Sequence, residues 1–434
     1  MVVGLGAMIG AGVFVAFAPA AARAGSLVWV SLAIAAVIAV CNALSSARLA
    51  AHFPAAGGTY VYGRELLGPL PGFLAGWGFI VGKTASCAAM ALTVGLYIWP
   101  EQAHLVAAAA VLGLTVLSVF GVQRTASVAK VLVVIVLAVL AVFLVLAWMG
   151  PSDVAGAGTT AGAAGGGGEG AAAAGAALFP APAIDGEAWP LRVIGVLGGA
   201  GFCFFAFAGY ARIATLGEEV RNPARTIPRA VVVAISIVIV VYALVLAAVV
   251  HVLGVGGVAA GAAPVLDAAE RIGNGEFAPV VRVAAGIAAL GALLGGILGV
   301  SRTTLAMARD RHLPTPLASV HPAARTPYVA EICVGVLVAG VVLLADVRQA
   351  IGFSSFAVLV YYLVANTAAL RLDRRRRRLP AWVPVLGAIG CVTVAGSLPW
   401  ESVVGGVVVF VVGGAVYAVT RRGMVQPAAR SHQA

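Results

Sequence analysis

Charge is scarce in this sequence. Of 434 residues only 10% are charged and 62% are hydrophobic, whereas a soluble globular domain carries about a quarter charged residues. A water-facing globular surface is thereby excluded. Lysine is almost missing: Lys83 and Lys130 are the only two, and every other basic residue apart from histidine is arginine. Cysteine is sparse as well. Cys41, Cys87, Cys203, Cys333 and Cys391 all fall inside apolar stretches, with no CxxC or Cys/His pairing, so they read as small core residues and argue against a metal site or a disulfide framework. No cofactor is expected. His52, His104 and His251 stand singly near predicted span ends. No His/Asp/Ser or metal constellation lies in the apolar segments, so a membrane-embedded enzyme would lack its catalytic pair. The first hydrophobic segment has neither a basic leader nor a cleavage site and is expected to stay in the mature protein.

Long apolar runs fill the space that charge leaves. Segments 27–44, 131–148 and 230–250 are predominantly apolar, and about 18 residues or more suffice to cross roughly 30 Å of hydrocarbon. Runs and their breakers together predict twelve spans, near 1–22, 26–48, 70–99, 104–121, 127–149, 191–216, 228–253, 279–306, 327–345, 348–371, 381–399 and 402–420. The net charge of +11 is dispersed over short loops, which fits a topology signal and not a nucleic-acid surface. Arg48, Arg64, Arg124, Lys130, Arg212, Arg221, Arg225, Arg229, Arg309, Arg311, Arg325 and the arginine run 374–378 occupy alternate loops or their edges, as do tail residues Arg421 and Arg422. The other loops hold mostly carboxylates, from Glu101 to Glu401. Basic residues mark the cytoplasmic side, which places both termini inside. Residues 151–190, rich in Gly and Ala, are expected to form a disordered extracytoplasmic loop. The arginine run serves as a topology anchor against the bilayer.

Glycine is the other abundance that matters. Gly4, Gly6, Gly10 and Gly12 fall within nine residues of the first span, and each interior Gly weakens a water-exposed helix by about 0.5–1 kcal/mol relative to Ala. Such a cluster permits unwinding. It also suits a small-residue packing face for a neighbouring helix. The sixth predicted span decides between these readings, because Gly198, Gly199 and Gly201 precede a second small-residue interruption, Phe204-Phe205-Ala206-Phe207-Ala208-Gly209-Tyr210-Ala211-Arg212. Paired interruptions at matching positions of two halves point to a transporter site at an inverted-repeat interface. Unwound backbone at that depth is tolerated only where it lines a cavity or is buried in protein.

With these residues in view the sequence resembles the amino acid-polyamine-organocation (APC) superfamily, and within it bacterial amino acid permeases related to cationic amino acid transporters. The stretches GAMIGAGVF at 6–14, FFAFAGYARIATLGEEVRNPARTIPRA at 204–230 and AMARDRHLPTPLASVHPAARTP at 306–327 carry the resemblance. It implies an all-α polytopic membrane protein of the LeuT-type fold: a 5+5 inverted repeat of spans 1–5 and 6–10, plus two extra spans. In residues, the expected organisation is 1–149 and 191–371 for the repeats, 150–190 for the loop, 372–420 for the extra spans and 421–434 for a cytoplasmic tail. The resemblance further implies that backbone at Ile9, Gly10, Ala11 and Gly12 holds a substrate carboxylate. Phe205, Ala206 and Ala208 would receive its amino group, with Gly209 in the same binding stretch and Tyr210 beside the pocket. Two departures stand out: Met1 already lies in the apolar stretch where relatives carry a cytoplasmic tail, and Arg212 replaces an aspartate common in relatives.

The few ionisable residues within spans supply the remaining candidates. A lysine, unlike an arginine, gives up its proton when desolvated, so Lys83 and Lys130 are candidate proton-coupling groups. Lys130 resembles the lysine that proton-coupled relatives place where sodium-coupled ones bind a cation near spans one and eight. A lysine snorkelling to the membrane edge, or paired for structure, is the plainer reading of each. The letters GKT at Lys83 do not make a phosphate loop, because Trp77 stands where its leading Gly belongs. Glu218 and Glu219, among Arg221, Arg225 and Arg229, suggest an inner gate of exchanging salt bridges, or ordinary solvation at the membrane edge.

The expected activity is therefore secondary transport of an amino acid across the cytoplasmic membrane, by proton symport through alternating access. The alternatives are an amino acid or polyamine exchanger without ion coupling, and a non-transporting amino acid sensor. Small neutral substrates are favoured because no Asp or Glu sits mid-span in the pocket-forming segments. The partners are the amino acid or amine, protons and the lipid bilayer, with no nucleic acid.

Overall fold

The computed structural model describes residues 2–53, 57–121, 126–149, 188–210, 223–322, 324–373 and 379–430. The expected Gly/Ala loop, the candidate gate Glu218 and Glu219, and the arginine run 374–378 lie outside the described residues.

The described residues are nearly all helical. The first span is broken into α1 (Val2–Met8), α2 (Gly12–Val15) and α3 (Phe17–Ala24). Then come α4 (Val28–His52), the short α5 (Thr59–Leu67), α6 (Pro69–Ile98), α7 (Ala103–Val119) and α8 (Ala126–Met149). The second half runs through α9 (Trp189–Phe207), α10 (Pro223–Ala260), the short α11 (Pro264–Arg271), α12 (Ala278–Arg309), α13 (Tyr328–Leu344) and α14 (Val347–Arg371). Two further helices, α15 (Trp382–Gly396) and α16 (Trp400–Arg430), close the chain. Among the described residues nine helices are long and apolar enough to cross a membrane, and three shorter apolar ones accompany them. The chain is a multi-pass membrane protein of APC type.

Local chemistry sets several boundaries. Proline opens α6, α9, α11 and α12 in the first turn, where its missing N–H is not needed. Asp346 caps α14 reciprocally with Gln349, satisfying two of the orphan amides of that terminus. The seventh span is longer than expected, 223–260 instead of 228–253, because helix resumes beyond a kink at Gly254, whose φ is 70°.

The central helices pack through small residues, since lipid offers no hydrophobic drive between helices. Helix α6 runs against both α12 and α14, while α9 lies on α3 and α4. Helix α16 is the most lipid-exposed of the long spans and α6 the most enclosed. Trp29, Trp99, Trp148, Trp189 and Trp400, all exposed, sit at the ends of α4, α6, α8, α9 and α16 that share one face. Arg48, Arg64, Arg309 and Arg371 lie toward the other, basic face, where exposed Trp382 also stands, as aromatic anchors occupy both interfaces of a membrane; Arg23, Arg192 and Arg348 are single arginines at the tryptophan-rich ends. Four cysteines are buried, but Cys333 is exposed on α13; an apolar run does not reveal which side of a helix meets lipid.

Candidate functional site

The first span unwinds where glycine predicted it. Ile9, Gly10 and Ala11 leave the helix between α1 and α2. Ala16 keeps right-handed helical angles, φ −74° and ψ −25°, so α2 and α3 continue one another as a half-helix from Gly12 to Ala24. No side chain caps the Ala11 end, which leaves the leading amides of that half-helix directed into the gap. The sixth span stops at Phe207 and tightens into a 3-10 turn over Ala208–Tyr210.

The two interruptions meet. A methyl on Gly12 would lie 2.5 Å from the Ala206 Cα, a distance no real Cβ occupies, so only glycine permits the approach. Gly209 likewise presses on the backbone of Ala7 and Met8. Ile9, Gly10, Ala11, Gly12, Phe205, Ala206, Ala208, Gly209 and Tyr210 are all buried and fall around this junction. The structure thus brings the nine predicted binding residues together from segments roughly 200 residues apart in sequence.

Three side chains serve the freed backbone. The Tyr242 hydroxyl, from α10, lies 2.6 Å from the Met8 carbonyl and 2.9 Å from that of Ala206. It bridges both breaks with one proton, which only one carbonyl receives at a time. Its ring is fixed edge-on by Phe17 and tilted against Phe207, with centroids 6.2 and 4.9 Å away. Tyr97 of α6 donates to the Phe14 carbonyl at 2.9 Å. Lys83, also on α6, donates to the Ala208 carbonyl at 3.3 Å.

Of the two lysines, Lys83 is therefore the one at the junction. Lys130 is exposed near the start of α8, one turn before Val133, which faces Gly6 of α1. Sequence reading passed over Tyr242, although it is a lone hydroxyl in the otherwise apolar run Ile239-Val240-Val241-Tyr242-Ala243-Leu244.

Two further groups of residues lie toward the two membrane faces. On the tryptophan-rich face, α11 packs against α2. Burial pushes the Asp267 carboxyl of α11 up to about 6, helped by nearby Glu270 and opposed by the Ala263 backbone and Arg271. On the basic face, Arg64 of α5 forms an ion pair with Asp310 at the end of α12. The Tyr60 hydroxyl donates to the same carboxylate and stands 2.9 Å from His312 Nδ1. Burial lowers the His312 pKa against the upward pull of Asp310. This cluster ties the α5 loop to α12, and Phe73 and Tyr417 flank the His312 ring.

Comparison with known proteins matches this architecture. The sequence model of the family described as "Amino acid permease" covers residues 1–433. A protein named as an uncharacterized transporter of Mycobacterium tuberculosis is 53% identical over 421 residues, 97% of this chain and 90% of the relative. The branched-chain amino acid permease BcaP of Bacillus subtilis is 24% identical, over 95% of this chain and 90% of its own length. Cationic amino acid transporter 6, chloroplastic, of Arabidopsis thaliana is 28% identical, over 85% and 64%. The chain belongs to the amino acid permease family of the APC superfamily and is a transporter, not an enzyme.

Proposed function

We propose that this permease carries an amino acid, by proton symport and alternating access, between two five-span repeats at 1–149 and 191–371. The observation that carries the reading is the meeting of two interrupted helices, Gly12 on Ala206 and Gly209 on Met8. An amino acid zwitterion suits both kinds of freed group: its carboxylate the amides around Gly10, Ala11 and Gly12, its ammonium the carbonyls around Phe205, Ala206 and Ala208. Lys83 adds a cation beside the Ala208 carbonyl, which disfavours a dibasic substrate by like-charge repulsion. A neutral side chain follows, in line with the branched-chain specificity in the name of BcaP. Lys83 and Lys130 are the proposed proton-coupling residues, and Glu218 with Glu219 the proposed inner gate. The protein sits in the cytoplasmic membrane with both termini inside, the basic face inward.

The test is uptake of the common amino acids into proteoliposomes with and without an inward proton gradient. Accumulation of neutral amino acids only under the gradient supports symport. Uptake that needs a preloaded amino acid and ignores pH replaces symport by exchange, and binding without flux replaces transport by sensing. Lys83→Ala and Lys130→Ala, assayed separately, identify the coupling residue as the one whose loss removes accumulation but leaves exchange.

A further inference from the structure

A cavity lies between α6, α9, α13, α14 and the start of α16. It has a volume of about 580 Å³, within the ordinary range of ligand sites. Its walls are apolar: Ile80 and Val81 from α6, Phe202 from α9, Leu337 and Val341 from α13, and Phe353 from α14. Leu337 is 59% exposed, so the cavity opens sideways where the fold meets lipid. From Leu337 to Ala345 the wall follows α13 to just past its end, about 12 Å at 1.5 Å per residue. That depth nearly matches the hydrocarbon half of one leaflet, roughly 15 Å.

The rim is the opposite of the walls. It carries Arg348 at the start of α14 and Glu401 in the first turn of α16. Neither joins an ion pair among the described residues. Among the described residues Arg348 makes only long bonds, to the Ala259 and Gly261 carbonyls at 3.5 and 3.4 Å, and Glu401 is exposed and acts at a distance on Arg23. Trp400 stands beside Glu401, 71% exposed, at the depth where tryptophan marks the headgroup level. An apolar slot one leaflet deep, open to lipid and crowned by one cation and one anion, complements a zwitterionic amphiphile. An amino acid would leave most of the slot unfilled.

We propose that this cavity binds one acyl chain of a phosphatidylethanolamine molecule, with the phosphate on Arg348 and the ammonium on Glu401. Guanidinium and phosphate match in geometry and charge. The ammonium donates hydrogen bonds to a carboxylate, which a choline headgroup cannot do.

Native mass spectrometry of the full chain tests this, after exchange into mixed micelles holding phosphatidylethanolamine, phosphatidylcholine and phosphatidylglycerol in equal amounts. The wild type is expected to keep one phosphatidylethanolamine. Arg348→Gln removes a charge-assisted contact, and retention should fall about tenfold. Leu337→Trp blocks the lateral mouth at a lipid-facing position that the fold tolerates, and should lower retention similarly. Glu401→Gln should retain lipid but lose the preference for ethanolamine over choline. Unchanged retention in the Arg348 and Leu337 variants overturns the proposal, as does retention with no headgroup preference in the wild type. A dimer that buries this face and holds no lipid overturns it too.

Discussion

Replacing Gly12 by alanine perturbs the contact on which the proposed transport site rests. The added methyl would stand 2.5 Å from the Ala206 Cα and 2.7 Å from its Cβ. Carbon atoms settle at about 3.5–4.0 Å, so the two broken spans would have to part by about 1 Å. Backbone receives the clash, and no flexible side chain is there to swing aside. Overpacking of this kind costs about 1–3 kcal/mol. If that cost falls on the closed, substrate-bound state, transport drops by about five- to 150-fold. The bonds from Tyr242 to the Met8 and Ala206 carbonyls would lengthen at the same time. Gly340→Ala is the matched control, since nothing lies within 4 Å of a methyl there. The assay is the initial rate of uptake into proteoliposomes at equal protein content, with the melting temperature measured alongside. A folded Gly12→Ala protein that transports within about twofold of the wild type would refute the close approach of the two breaks as a requirement of the site.

Further outcomes follow from individual contacts. Tyr242→Phe leaves a buried carbonyl without its donor, a loss of about 1–3 kcal/mol, and should weaken substrate binding about tenfold or more in a scintillation proximity assay while Phe17 and Phe207 still hold the ring. Asp310→Asn breaks the half-exposed pair with Arg64; such a pair is worth about 0–1 kcal/mol, so cysteine labelling of the basic face should rise by only a few-fold and the protein should stay folded. Asp267 gives a pH dependence with a definite sign. Its carboxyl is raised to about 6 where α11 is packed down, against about 4 when exposed, so closure of α11 binds a proton. Closure is then favoured fully below about pH 4, and that advantage is lost as pH rises through about 6. Asp267→Asn should flatten this trend in hydrogen–deuterium exchange of the α11 amides.

The helical membrane architecture and the two breaks were legible in residue order alone. Span length and the scarcity of charge force the first. The second follows from backbone chemistry that is local: Gly10 and Gly12 weaken one span, and Ala208 and Gly209 end another, at positions that match between halves. Backbone groups make the proposed site, and their place in the chain fixes their place at the junction. Side chains were a different matter. Tyr242 at both breaks, Lys83 at Ala208 and Arg64 at Asp310 join residues up to 246 positions apart, and span hydropathy carries no record of which side of a helix faces protein, because lipid is as apolar as the core. Residue order already set Lys130 near the start of its span and Lys83 deeper in its own, and both stood as candidates. Packing then distinguished their surroundings, setting Lys83 on the enclosed α6 beside a freed carbonyl and leaving Lys130 exposed on α8.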